Sequence, residues 1–139
     1  IEELVEFVRA ASNSEEEFQQ AVQDLHQALD KAAEKVSQST PAEKTLVGQV
    51  DALIDTLYFT YGSFVLMGVD PERIFEIVHQ ANMGKIFPDG KAHFDPVTHK
   101  ILKPDNWKEK YAPEPAIKKE IERQIKAYER HKERENRMS

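Results

Sequence analysis

The chain has 139 residues, enough for one domain with its own core and too few for two of ordinary size. Hydrophobic residues make up 40% and charged residues 32%, with a net charge of -6 and no cysteine. This balance excludes a disordered chain, a disulfide framework and a thiolate site, and argues against general nucleic-acid binding, which needs a surplus of Lys and Arg. No apolar run reaches the roughly 20 residues of a membrane-spanning helix and no signal segment opens the chain, so a soluble, cytoplasmic protein is expected.

Residues 1–11 set Leu4, Val5, Phe7 and Val8 among Glu2, Glu3 and Glu6, the pattern of an amphipathic helix with acids at its start. Glu6 shares a helical face with Glu2 or Glu3, and acids so spaced can grip one hard cation. The same acids equally suit the positive end of a helix dipole without any metal. Ser12-Asn13-Ser14 breaks this helix, and Ser14 with Glu17 makes a capping box for the next. Phe18, Val22, Leu25, Leu29, Ala32, Ala33 and Val36 then mark one buried stripe, with His26 on the polar flank.

A third helix is predicted from Thr40-Pro41-Ala42-Glu43, which supply an N-cap, a proline at N1 and a glutamate at N3, to about Met67. Gly68 is placed to end it. Leu53, Ile54, Leu57, Tyr58, Phe59 and Tyr61 make this helix apolar nearly all round, so it is expected in the core. Asp51 and Asp55 interrupt it one turn apart and project from the same side. A buried carboxylate needs a cation or hydrogen bonds, and a divalent ion would meet both acids; a margin facing water or an arginine would also satisfy them.

Asp70-Pro71-Glu72 caps a fourth helix on which Ile74, Phe75, Ile77 and Val78 are expected to pack inward. Its end carries His79, Asn82 and Lys85 at intervals of three, suited to lining a pocket with Lys85 near a phosphate, although a helix C-terminus also attracts His and Lys. Glu76 and His79 match half of a carboxylate-bridged di-iron pattern that needs a second copy, and none is present. Helical periodicity is lost over 86–115, a segment punctuated by prolines in which His93-Phe94 and Lys100-Ile101-Leu102 make at most a small hairpin. That segment brings Lys91, Lys100, Lys103 and Trp107, suited to phosphate neutralisation and base stacking, or to pinning the loop through the indole. Ile117, Ile121, Ile125 and Tyr128 form a last amphipathic stripe, and 129–139 reads as a solvated tail.

In chain order, DTLYFTYG (55–62), GVDPE (68–72), VHQANMGK (78–85), DGK (89–91) and LKPDNW (102–107) together resemble the all-α nucleoside triphosphate (NTP) pyrophosphohydrolases. That superfamily holds MazG-like proteins, phosphoribosyl-ATP pyrophosphohydrolase and dimeric dUTPases, and the likeness is to a branch near the MazG-like dUTPases. The resemblance implies a single all-α domain, a four- to five-helix bundle with a long irregular loop before the last helix. It implies Mg²⁺, with Mn²⁺ as a substitute, on an ExxE and an ExxD motif. Glu2, Glu3 and Glu6 match the first, and Asp55 matches the aspartate of the second. Ala52 stands where the second motif has glutamate, and Asp51 is the nearest acid.

The implied reaction splits a nucleoside triphosphate between its α- and β-phosphates, in a house-cleaning or dUTP-directed role. Glu3 or Glu6 would take the proton of the attacking water, and Lys85, Lys91 or Lys103 would offset charge on pyrophosphate. Asn82, with His79 and Trp107, would hold the nucleotide. A homodimer or homotetramer is implied as well, with no nucleic-acid polymer and no membrane as partner. The alternative favoured by Ala52 is a non-catalytic nucleotide-binding or helical oligomerisation protein of the same fold. No phosphate-binding Gly-x-x-x-x-Gly-Lys-Ser/Thr loop occurs.

Overall fold

The computed structural model describes residues 1–38 and 45–138. Among these lie six helices: α1 (Glu2–Ala11), α2 (Glu15–Gln38), α3 (Leu46–Met67), α4 (Glu72–Met83), α5 (Trp107–Tyr111) and α6 (Glu114–Met138). The extended pairing among them is a single antiparallel bridge, Phe94 to Ile101, so the expected all-α class and the small hairpin both hold. No helix among the described residues is long and apolar enough to cross a membrane. Backbone packing divides the chain into two compact units, Ile1–Ala52 and Leu53–Ser139.

In the first unit α1 packs on α2. Ser12 ends α1, its N–H donating to Arg9 O at 3.3 Å and its Oγ to Val8 O at 2.8 Å. Ser14 Oγ then accepts the Glu17 N–H at 3.1 Å, as a capping box requires. The returning Glu17 carboxylate reaches one residue further back than the usual pattern, taking the Asn13 N–H at 2.7 Å. The hairpin is tied by Arg9, which pairs with Glu15 and lays its guanidinium 4.8 Å from the Phe18 ring centroid. The stripe on α2 is half-buried at Phe18, Val22 and Leu25 but exposed at Leu29, Ala32, Ala33 and Val36. Period alone marks an apolar face; it does not say which chain covers it.

The predicted start of the third helix, from Thr40 through Pro41 and Ala42 to Glu43, lies outside the described residues. Thr45 caps α3, its Oγ1 accepting the Gly48 N–H at 3.2 Å. At the other end Gly68 adopts φ +67, and the Gly68 and Val69 N–H groups reach back to Val65 O and Phe64 O at 3.0 Å each. This pair of bonds is a Schellman closure, which needs a left-handed residue and so favours glycine. The expectation that α3 lies in the core is corrected: twelve of its large apolar side chains are exposed, Leu66 by 91%.

In the second unit α4 packs on α6. Asp70 Oδ1 caps α4 by accepting the Glu72 N–H at 3.0 Å. The Gln124 amide clamps this turn from α6, accepting the Asp70 N–H and donating to the Asp70 carbonyl, each at 2.9 Å. Ile74 and Ile77 face the packing on α4, whereas Phe75 and Val78 are exposed, against expectation. On α6 Ile117 and Ile121 are half-buried, but Ile125 and Tyr128 are exposed. The inward stripe instead takes Glu120, Gln124 and Ala127, because polar side chains there meet the start of α4. The segment 129–138 continues α6 as a solvated helix. The irregular stretch predicted over 86–115 also contains α5 and the start of α6, and five residues are too short for periodicity to reveal.

Glu120 is the buried acid of this unit, 8% exposed in a cleft of about 620 Å³ between α4, α5 and α6. Its carboxylate receives Arg123 Nε and Nη2 at 2.8 and 2.6 Å and Gln124 Nε2 at 3.1 Å, with Arg73 at 3.9 Å. The Arg123 hydrogen bonds, then the one from Gln124, hold its pKa at about 2, below its ordinary value of 4.5. A depressed carboxylate pKa stabilises the fold above the unfolded value, and that contribution disappears as pH falls from 4.5 towards about 2. Thermal midpoints of wild type and Glu120→Gln should therefore differ at pH 7 and converge across that window, as a pH series followed by circular dichroism would record.

Candidate active site

Five acids are the proposed metal ligands. Glu2, Glu3 and Glu6 lie exposed along the start of α1. Asp51 and Asp55 lie exposed on α3, four residues and so about 6 Å apart along its axis. None of the ion pairs among the described residues engages Glu3, Glu6, Asp51 or Asp55; Arg9, the basic residue of α1, is held by Glu15. Among the described residues, no three His, Cys, Asp or Glu side chains are grouped as a ready-made metal cage. The donors are all carboxylate oxygens, the chemistry that Mg²⁺ takes, and Mg²⁺ typically binds one or two carboxylates and completes its shell with water and substrate phosphate.

A second cluster forms where α4 ends. Lys85 Nζ donates to Asn82 Oδ1 at 2.7 Å, so two of the three polar residues predicted along this edge meet. The indole of Trp107 sits beneath them, 9% exposed, with Nε1–H donating to the Ala81 carbonyl at 2.9 Å. Lys103 Nζ lies 4.3 Å and Lys85 Nζ 5.9 Å from its ring centroid. Of the two readings of Trp107, the pinning of the loop is the one its position supports, because its ring is covered and its N–H committed. His79 is exposed one turn before Asn82. Lys91 is exposed in a separate turn, where its N–H donates to Asp89 Oδ1 at 3.0 Å and its carbonyl accepts the Phe87 N–H at 2.9 Å. In that turn Asp89 also meets His93 Nε2 at 2.7 Å, and the His93 hydrogen bond, with the Lys91 N–H, lowers the Asp89 pKa. His93 stacks on Phe87, with ring centroids 4.2 Å apart.

Sequence reasoning passed over Gly84 and Tyr111. Gly84 follows α4 and looks like a left-handed cap, yet its φ is -64. The physical reason for glycine is the Tyr111 ring, which would stand 2.5 Å from a Cβ added there. Gly84→Ala should force the ring or the backbone aside, costing about 1–3 kcal/mol in a urea unfolding series.

The sequence profile of phosphoribosyl-ATP pyrophosphohydrolase matches residues 1–82, which include α1 and the whole of α3. A crystal structure of a candidate NTP pyrophosphohydrolase from Exiguobacterium sp. 255-15 is similar, with a TM-score of 0.78 and 44% sequence identity over 91% of this chain and 75% of that one. No curated protein matches. The fold is that of the all-α NTP pyrophosphohydrolases. The chain belongs to the phosphoribosyl-ATP pyrophosphohydrolase family.

Proposed function

We propose that the protein is a Mg²⁺-dependent nucleoside triphosphate pyrophosphohydrolase that cleaves between the α- and β-phosphates. The family match across α1 and α3, the helices bearing Glu2, Glu3, Glu6, Asp51 and Asp55, carries this reading. These acids would hold Mg²⁺, with Asp51 serving in place of the glutamate that position 52 lacks. Bound there, the ion supplies Lewis-acid charge against the phosphate oxygens and a more acidic water.

Glu3 or Glu6 accepts the proton of the attacking water, whose oxygen bonds to the α-phosphorus. The α-phosphorus to bridging-oxygen bond breaks, its electron pair leaves with pyrophosphate, and the monophosphate remains. Asn82 and His79 hold the nucleotide, and Lys85, Lys91 or Lys103 opposes the growing charge on the leaving group. Since five acids alone would repel a triphosphate, binding without a divalent ion should be weak.

The exposed apolar faces of α3 and of the second half of α2 support a homodimer or homotetramer. A cytoplasmic, house-cleaning or dUTP-directed role accords with the family. Ordinary, deoxy and damaged triphosphates assayed with Mg²⁺ or Mn²⁺ for pyrophosphate release test the reading; release from none of them overturns it.

A further inference from the structure

We propose that Trp107 is a positioning residue that fixes Lys85 and Lys103 as one paired cationic seat for the pyrophosphate leaving group. This rests on the activity proposed above, and it narrows three candidate lysines to two. Trp107 is held at two points: Nε1–H donates to Ala81 O at 2.9 Å and the backbone N–H to Pro104 O at 3.1 Å. The ring therefore cannot swing away from the end of α4. Both ammonium groups lie within 6 Å of its centroid, Lys103 at 4.3 Å and Lys85 at 5.9 Å, in range of the indole quadrupole.

Asn82 Oδ1 restrains Lys85 further at 2.7 Å. Lysine side chains normally give up much rotamer freedom when they meet an anion, and partners already in place reduce that loss. Neither ammonium is paired with a carboxylate among the described residues, so both charges are open to a ligand. A cleft of about 630 Å³ opens beside Lys103 and Trp107; Lys108, Glu109 and Glu114 also line it, and Lys85 stands outside that lining, so a phosphate would enter from the Lys103 side. As the bond to the α-phosphorus breaks, one more negative charge settles on the departing oxygen, and two ammonium groups held near one ring oppose it.

Trp107 is the only tryptophan, so its emission reports on this seat alone. The full chain, with Mg²⁺ present, is titrated with inorganic pyrophosphate while tryptophan fluorescence is followed. A saturable change is expected. Lys85→Gln and Lys103→Gln should each weaken pyrophosphate about tenfold or more, as the loss of a charged hydrogen bond does. Lys118→Gln, an exposed change on α6, should leave it unaltered, and circular dichroism should match wild type in all three.

Trp107→Phe, read by calorimetry, should weaken pyrophosphate and lower kcat more than it raises KM. No saturable change in the wild type, or wild-type affinity in both seat-lysine variants, overturns the proposal. Pyrophosphate binding through both lysines in a chain that hydrolyses no triphosphate would keep the seat and remove the activity. Hydrolysis with pyrophosphate affinity indifferent to both lysines would do the reverse.

Discussion

Asp55→Asn is expected to reduce pyrophosphate release from a magnesium nucleoside triphosphate by about 10²–10³-fold, the scale seen when one preorganised electrostatic contact to a reacting group is lost. Asparagine keeps the shape and the acceptor oxygen but removes the charge that draws in a divalent ion. Asp55 is exposed on α3 and enters no ion pair among the described residues, so the fold should not depend on that charge. A full Mg²⁺ titration separates the two roles a carboxylate can have. If Asp55 is a ligand, the half-saturating Mg²⁺ concentration rises as the rate falls, while the thermal midpoint without metal stays put. Glu6→Gln should act the same way from α1. Asp30→Asn, on the exposed side of α2, serves as the control. Wild-type rates in both Asp55→Asn and Glu6→Gln would show that these acids are not the site, even if the protein proved active.

The second large effect concerns assembly. The twelve exposed apolar side chains of α3 include Leu53, Leu57, Phe59, Val65 and Leu66. Full burial of one such side chain contributes about 1.5–3 kcal/mol, so covering half of each across twelve amounts to roughly 9–18 kcal/mol, as large as the whole stability of an ordinary domain. Folding and association should therefore be coupled, with a thermal midpoint that rises with protein concentration. Leu53 and Leu57 lie about 200° around the helix from Asp51 and Asp55 respectively, at 100° per residue, so they can be changed without touching the acids. The double variant Leu53→Asp, Leu57→Asp should lose the oligomer in sedimentation velocity and unfold at lower temperature. A wild type that sediments as a monomer at micromolar concentration, with a midpoint independent of concentration, would defeat the assignment.

Local chemistry was legible in the chain because it is decided by near neighbours. The break at Ser12-Asn13-Ser14, the cap at Ser14, the stop at Gly68 and the cap at Asp70 all depend on side chains within a few residues of the backbone they serve. Asn82 and Lys85 were also found by spacing, since three residues on a helix are neighbours in space. Apolar periodicity told which faces of α2, α3 and α6 resist water. It could not tell whether a neighbour in the same chain covers them, and Leu29, Ile125 and most of α3 stay exposed among the described residues.

The sequence by itself determined the helical class, the acid-bearing helices and the order of motifs that marks the family, because each is written in local spacing. The tertiary structure alone decided that Trp107 closes on Ala81 with Lys85 and Lys103 beside its ring, that Gly84 yields to Tyr111, and that Gln124 reaches Asp70 across 54 positions. Those contacts join residues far apart in the chain, and side-chain spacing carries no record of partners that only folding brings within reach.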